Sequence, residues 1–387
     1  MIPSSIVAEA PVTAAPVAEK PGWPRLAARG LETVFGGASL LAGLALLAAV
    51  PGLHFLSLGY LLEASGRVAT SGRLRSGFIG LNRAAVAGRI AIGIFLVLLP
   101  VRLAASYWND ARLIAPGSEI EARWRLVLIG LTLLAFAHII WACLRGGRLW
   151  HFLWPAPLRL WRSLRGFRPG RLLEAAGRAG DWVLALRLPR YFWLGLRGFA
   201  GALVWLAGPV AVLMLAGKIR NEGVAFLANL LGAAGLLGVV LYLPFLQTRF
   251  ALTRRFGALF EVGEVRRWFR RAPIAFWFAL ALSLLAAVPL YVLKIELIPQ
   301  PVAWLPALFF VAFLLPARLL TGWAVHRALA RETPRLGLWR WLSRLAALPV
   351  AAVYVFFVWI TQYLSWQGAW SLLEQHAFLV PAPGLGF

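Results

Sequence analysis

Apolar stretches of about 17 to 25 residues recur along the chain, the length that carries an α-helix across a hydrocarbon layer roughly 30 Å thick. Seven are predicted as full spans, at 90–107, 126–144, 198–216, 224–246, 274–293, 304–320 and 345–364. An eighth apolar region, 34–62, is too long for one upright helix and is interrupted by Pro51-Gly52, a pair that breaks or kinks helices.

The polar positions between these stretches are dominated by arginine and fall on alternate connections. Segments 63–89, 145–197, 247–271 and 318–344 together hold twenty-nine Lys and Arg, and the opposite connections hold seven. Cytoplasmic loops carry such an excess, so 63–89 is assigned to the cytoplasm and the C-terminus to the far side. The N-terminal Lys20, Arg25 and Arg29 stay on the basic side if 34–62 is a helical hairpin that enters from the cytoplasm, bends at Pro51-Gly52 and returns. One tilted span with the N-terminus outside is the alternative. Non-helical backbone inside a bilayer must be satisfied by protein or water, so the bend is expected to lie under other helices.

The expected fold is therefore all-α: a polytopic transmembrane helical bundle with seven full spans, an N-terminal broken or re-entrant hairpin, and amphipathic cytoplasmic helices. Residues 1–32 are expected to be a disordered tail without a cleaved signal peptide. Residues 33–364 form a single transmembrane domain, and 365–387 a non-cytoplasmic tail. The insert 145–197 has a helical rhythm. Arg159, Arg162, Arg165 and Arg168 recur beside Leu158, Trp161 and Leu164, and Pro155, Pro157 and Pro169 delimit them. A second helix over 171–186 groups Leu172, Leu173, Ala176 and Val183 near one face. Basic runs at 266–271 and 335–344 repeat this chemistry. Each Lys or Arg near an anionic leaflet contributes on the order of 1 kcal/mol, so the expected partner of this face is a bilayer with anionic headgroups.

Composition agrees with this pattern and narrows the function classes. A chain of 387 residues that is 61% hydrophobic and 14% charged exceeds what one soluble globule can bury. In a soluble protein a net charge of +24 points to nucleic acid; here the arginines flank apolar runs, and no nucleic-acid partner is expected. Cys143 is the sole cysteine, so no intrachain disulfide or multi-thiolate metal site can form. Tryptophan favours the headgroup level. Trp124 and Trp141 bracket one span and Trp304 and Trp323 another, whereas Trp205 and Trp277 lie deeper and are read as bundle packing.

Candidate chemistry is sparse. Ionisable groups inside a membrane are functional candidates by default. Arg102 lies inside its span, where it can snorkel outward or pair with Asp110 or Glu296. His54 and His138 sit in apolar stretches without acidic or thiol partners at ligand spacing, and are read as hydrogen-bonded structural histidines. Asn229, Gln247 and Gln362 are read as interhelical hydrogen-bonders. Glu261 and Glu264 are expected to pair with Arg254, Arg255, Arg267 or Arg270. No catalytic residue, metal ligand or cofactor is assigned, because the chain carries no G-x-S-x-G, H-E-x-x-H or phosphate-loop motif and no paired carboxylates within a span.

Two segments carry a family resemblance. The first is Leu58-Gly59-Tyr60-Leu61-Leu62 with Arg67, Gly72 and Arg73 after it. The second runs from Arg249-Phe250-Ala251 through Arg255-Phe256-Gly257-Ala258-Leu259-Phe260-Glu261-Val262-Gly263-Glu264. Together they resemble a family of bacterial multi-pass membrane proteins known only as a domain of unknown function. The resemblance singles out Gly59, Tyr60, Arg255, Phe256, Gly257, Phe260 and Glu261, and implies a bacterial inner-membrane location and no substrate. Physically, Phe256, Phe260 and Trp268 suit burial in the interface, and Gly257 a close crossing. Three readings follow: a non-enzymatic scaffold or accessory subunit of a membrane complex with a membrane protein partner, a transporter or channel for a small molecule or lipid, and a membrane-embedded lipid-acting enzyme.

Overall fold

The computed structural model describes residues 23–165, 169–292, 304–365 and 367–379, and among them thirteen α-helices and no strand. These are α1 (Trp23–Ala49), α2 (His54–Ser71), α3 (Leu81–Ile114), α4 (Glu119–Leu144), α5 (Leu149–Leu153), α6 (Pro157–Arg165) and α7 (Pro169–Ala185). There follow α8 (Leu188–Ala216), α9 (Glu222–Thr253), α10 (Val262–Arg271), α11 (Pro273–Val292), α12 (Trp304–Leu329) and α13 (Gly337–Leu364).

Eight helices among the described residues are long and apolar enough to cross a membrane. The chain is a multi-pass helical membrane protein. Seven of the eight coincide with the predicted spans, and the eighth, Gly30–Ala49, is the first limb of the 34–62 region. Several run well past the predicted ends: α3 has 34 residues and α9 has 32, about 50 Å each at 1.5 Å per residue. Apolar composition stops where the bilayer stops, but backbone hydrogen bonding continues until a cap interrupts it. Ser118 caps α4 by accepting the Glu121 N–H at 3.2 Å, and Asn221 caps α9 by accepting the Val224 N–H at 3.0 Å.

The 34–62 region is a helical hairpin, α1 and α2, broken at Pro51-Gly52, where Gly52 takes φ 81°. Two expectations need correction. Residues 23–32 belong to α1 rather than to a tail; residues 1–22 lie outside the described residues. The bend at 50–53 is exposed, not covered. With 27 residues, α1 is about 40 Å long, and the bend that follows it lies beside α8, with the His54 ring 5.8 Å from that of Phe199.

The second limb, α2, is the centre of the molecule. Fourteen of its 18 residues are buried, between α8, α9 and α12. Small residues permit this. A Cβ on Gly59 would stand 1.8 Å from the Tyr191 carbonyl oxygen, and one on Gly195 would stand 1.9 Å from that of Phe55, so α2 and α8 cross backbone to backbone. Gly322 of α12 approaches Ser65 as closely, its Cβ falling 2.3 Å from the Ser65 carbonyl oxygen.

At the opposite extreme, α3 and α4 form a peripheral arm. α3 packs on α1, α4 and α5, and α4 on α3 and α5. Only Ala85, Gly93 and Ala104 of α3 and Ala135 and Ala142 of α4 are buried. Residues 367–379, read from sequence as part of a tail, pack back into the bundle, with Leu372 and Phe378 fully buried.

Candidate functional site

The two family-like segments, nearly 200 positions apart, meet in space. Glu63 projects from the middle of α2 and is 5% exposed. Its carboxylate takes Arg190 of α8 at 2.5 Å, Arg67 one turn along α2 at 3.5 Å, and Arg254 at the end of α9 at 3.7 Å. Three guanidiniums from three helices share one carboxylate. Arg254 occupies the left-handed region at φ 57°, as the C-cap of α9 whose N–H closes on the Phe250 carbonyl at 2.7 Å. A non-glycine residue there is under strain, and its ion pair with Glu63 helps to hold it.

Beside this cluster lies a second one. Glu261 binds Arg249 and, at 3.1 Å, Arg255, and the Arg249 guanidinium lies over the Trp268 ring at 5.3 Å. Glu264 binds Arg267. The expected partners of Glu261 and Glu264 were thus half right; Arg254 turns to Glu63 instead. Tyr60 ties the layer together. Its hydroxyl oxygen accepts the Ile79 N–H at 2.8 Å, which clamps the 3-10 turn Leu74–Gly77 against α2.

A groove of about 760 Å³ opens next to Tyr60 between α1, α2, the start of α3 and the α7–α8 junction. Leu40, Leu44 and Leu56 line its apolar part, and Arg67, Arg83 and Arg187 its polar mouth. Arg83 is already committed to the Ala185 carbonyl at 2.6 Å.

Deeper in the bundle, hydroxyls connect three helices. Ser65 of α2 donates to Thr248 of α9 at 3.0 Å, and Thr248 lies 3.4 Å from Thr321 of α12. One turn from Thr321, Arg318 is 2% exposed. One of its terminal nitrogens donates to the Ala377 and Phe378 carbonyls at 3.3 Å, and Gln247 donates to the same Phe378 carbonyl at 3.1 Å. The other two guanidinium nitrogens of Arg318 have no hydrogen-bond partner among the described residues. Arg318, counted from sequence with the cytoplasmic connection 318–344 although the predicted span 304–320 contains it, is an interior cation inside α12. Arg249 and Arg197 likewise belong to helices, α9 and α8, rather than to loops.

The remaining sequence candidates are placed as follows. Arg102 is exposed on the α3 arm with its guanidinium over Phe95 at 5.7 Å. It leans back along the helix instead of outward, and no carboxylate among the described residues pairs with it; Glu296 lies outside the described residues. Buried His54 accepts the Gly52 N–H on Nδ1 at 3.1 Å, and His138 Nε2 sits 2.8 Å from the Phe152 carbonyl. Asn229 accepts from Trp359 Nε1 at 2.9 Å, linking α9 to α13, whereas Gln362 bonds within its own helix. Gly257 makes no close crossing: a Cβ there would meet nothing within 4 Å. Phe256 and Phe260 pack edge to face at 5.8 Å and stay partly exposed, while Trp268 is buried. Trp205 does serve the bundle, donating to the Leu259 carbonyl at 2.9 Å.

In the basic insert, α6 and α7 match the two predicted helices; Arg168 and the side chains of Leu172, Leu173 and Ala176 lie outside the described residues. Partial burial, and then the nearby charges of Arg145, Arg148 and Arg159, hold the His151 imidazole below its ordinary pKa. The shift favours the neutral imidazole.

Sequence reasoning missed Glu63 and Arg318. Glu63 carried a usable signal, a lone carboxylate between the apolar Leu61-Leu62 and the small Ala64-Ser65-Gly66, with Arg67 one helical turn later. Arg318 carried another, because Leu319, Leu320 and Trp323 continue the apolar run beyond it. Among the described residues, no group of three or more His, Cys, Asp or Glu could hold a metal.

No family model, curated protein or solved structure matches the chain.

Proposed function

We propose that this is a non-enzymatic inner-membrane protein that serves as a scaffold or accessory subunit of a membrane complex, with the α3–α4 arm as the surface that meets a membrane protein partner. Arg102 carries the reading. It lies five residues, about 7.5 Å, inside the level marked by the stacked rings of Tyr107 and Trp124. An arginine at the bilayer centre costs about 2.5–3.5 kcal/mol on insertion scales, and a partner carboxylate or carbonyl would remove much of that cost. The arginine-rich connections face the cytoplasm in this proposal, the C-terminus faces away, and the resemblance of the two motif segments supports a bacterial origin.

A photo-cross-linker placed at Phe136, exposed on α4, should trap one defined polypeptide in intact membranes. Arg102→Leu should abolish that product while leaving folded yield unchanged. An unaltered cross-link in Arg102→Leu, or cross-links to lipid alone, would overturn the reading.

Arg318 favours a second reading, a transporter for a small anion or a lipid. The Ser65–Thr248–Thr321 chain and the partnerless nitrogens of Arg318 offer polar groups at the bundle centre. Anion flux in proteoliposomes that is lost in Arg318→Gln would establish it.

A further inference from the structure

A second cleft, of about 500 Å³, lies between α9, α11 and α13 under the cytoplasmic helix α10. That volume falls within the roughly 300–1,000 Å³ common for small-molecule sites. Its walls are aliphatic and aromatic: Leu241 and Phe245 from α9, Trp277 and Leu280 from α11, Ala347 and Leu348 from α13. Its rim is cationic, with Arg266 and Arg270 from α10 and Arg344 from α13, and no carboxylate is among the lining residues.

These three arginines differ from the six that gather around the buried and half-buried carboxylates of this face. Arg67, Arg190, Arg249, Arg254, Arg255 and Arg267 are all consumed by Glu63, Glu261 or Glu264. Arg267 pairs with Glu264, while Arg266 and Arg270, spaced i and i+4 so that they share a helix face, line the cleft. Arg266 donates to the Tyr242 hydroxyl at 3.1 Å, and Arg344 lies over the Phe269 ring at 5.6 Å. Among the described residues none of the three makes an ion pair, so their charge is uncompensated. The indole N–H of Trp277, in the wall, is buried without an acceptor among the described residues.

We infer that this cleft binds one anionic glycerophospholipid, with its phosphate among Arg266, Arg270 and Arg344 and an acyl chain against the apolar walls. Charge complementarity selects the phosphate. Guanidiniums form charge-assisted, often bidentate bonds to phosphate oxygens, and a rim of three without a carboxylate disfavours a zwitterion relative to a net anion. The apolar depth selects a lipid over a soluble phosphate, because a soluble anion would leave the walls unfilled. The inference rests on the membrane disposition given above, with the arginine-rich face at the headgroups, and is independent of any protein partner.

The test is native mass spectrometry of the full chain, delipidated in detergent and titrated with phosphatidylglycerol, phosphatidylcholine or glycerol phosphate. Phosphatidylglycerol should give a saturable one-to-one adduct, at least tenfold tighter than phosphatidylcholine, and glycerol phosphate should give none. Arg266→Gln with Arg344→Gln should weaken the adduct tenfold or more. Leu348→Trp, which fills the cleft and keeps the arginines, should weaken it comparably, and Arg75→Gln should leave it unchanged. Equal binding of both lipids by the unaltered protein, or an adduct indifferent to Leu348→Trp, would overturn the inference. Glycerol phosphate binding as tightly as the lipid would show a soluble-phosphate site and overturn it as well. Loss of the lipid site with the Phe136 cross-link intact would leave the proposed function standing.

Discussion

Gly59 and Gly257 belong to the same family-like set, and the structure separates them. A methyl group on Gly59 would collide with the Tyr191 carbonyl at 1.8 Å, whereas one on Gly257 would meet open space. Overpacking a filled crossing costs about 1–3 kcal/mol or more. Gly59→Ala should therefore lower the melting temperature of the detergent-solubilised protein by several degrees or prevent folding, and Gly257→Ala should leave it within error; thermal size-exclusion assays would compare them. Glu63 is the complementary case, a buried carboxylate serving three guanidiniums. Glu63→Gln keeps the shape but removes the charge; the guanidiniums left behind are 32–56% exposed, so water takes over part of the compensation and the cost is about 1–3 kcal/mol. A lower melting temperature is expected, and partial rescue when Arg190→Gln is added would show that the uncompensated guanidinium, not lost packing, is the cause.

At the scale of elements, α1 and α2 show how helix length and solvent decide a hairpin's depth. The break at Pro51-Gly52 was legible, because neither residue continues a helix. Its position was not, because a linear pattern does not say whether neighbours cover it. The structure leaves 50–53 exposed at the bundle surface, outside the helix packing. In a Cys143→Ser background, Leu53→Cys should react with a membrane-impermeant maleimide from the face opposite the arginine-rich connections. Protection on both faces would instead place the bend within the bilayer. The arm differs from α2 in the same terms. α3 and α4 carry long apolar runs, interrupted by Arg102, and are almost unburied, and suit lipid or a partner. α2 carries Ser57, Glu63 and Ser65, all buried, and is tolerated in a membrane because α8, α9 and α12 shield it.

For the whole molecule, the segment 367–379 closes the bundle. It buries Leu372, Phe378 and Leu379 and supplies the carbonyls that Arg318 and Gln247 bind. Each large apolar side chain so buried contributes about 1.5–3 kcal/mol. Truncation after Leu364 should reduce folded yield severely, and Arg318→Leu should partly restore it by removing the cation that loses its acceptors; an undiminished melting temperature in the truncated chain would count against this role. The helical class, seven of the eight long apolar helices and the sharp division between basic and neutral connections could be read from residue order, because a bilayer sorts each segment of about 20 residues largely by its own composition. Packing settled the rest. Whether an arginine is a loop anchor or an interior cation, as with Arg318, and whether a glycine is a crossing point or a spacer, as with Gly59 and Gly257, depends on neighbours remote in sequence. So does the meeting of Glu63 with Arg190 and Arg254, since interhelical geometry is set by which small residues let two backbones approach.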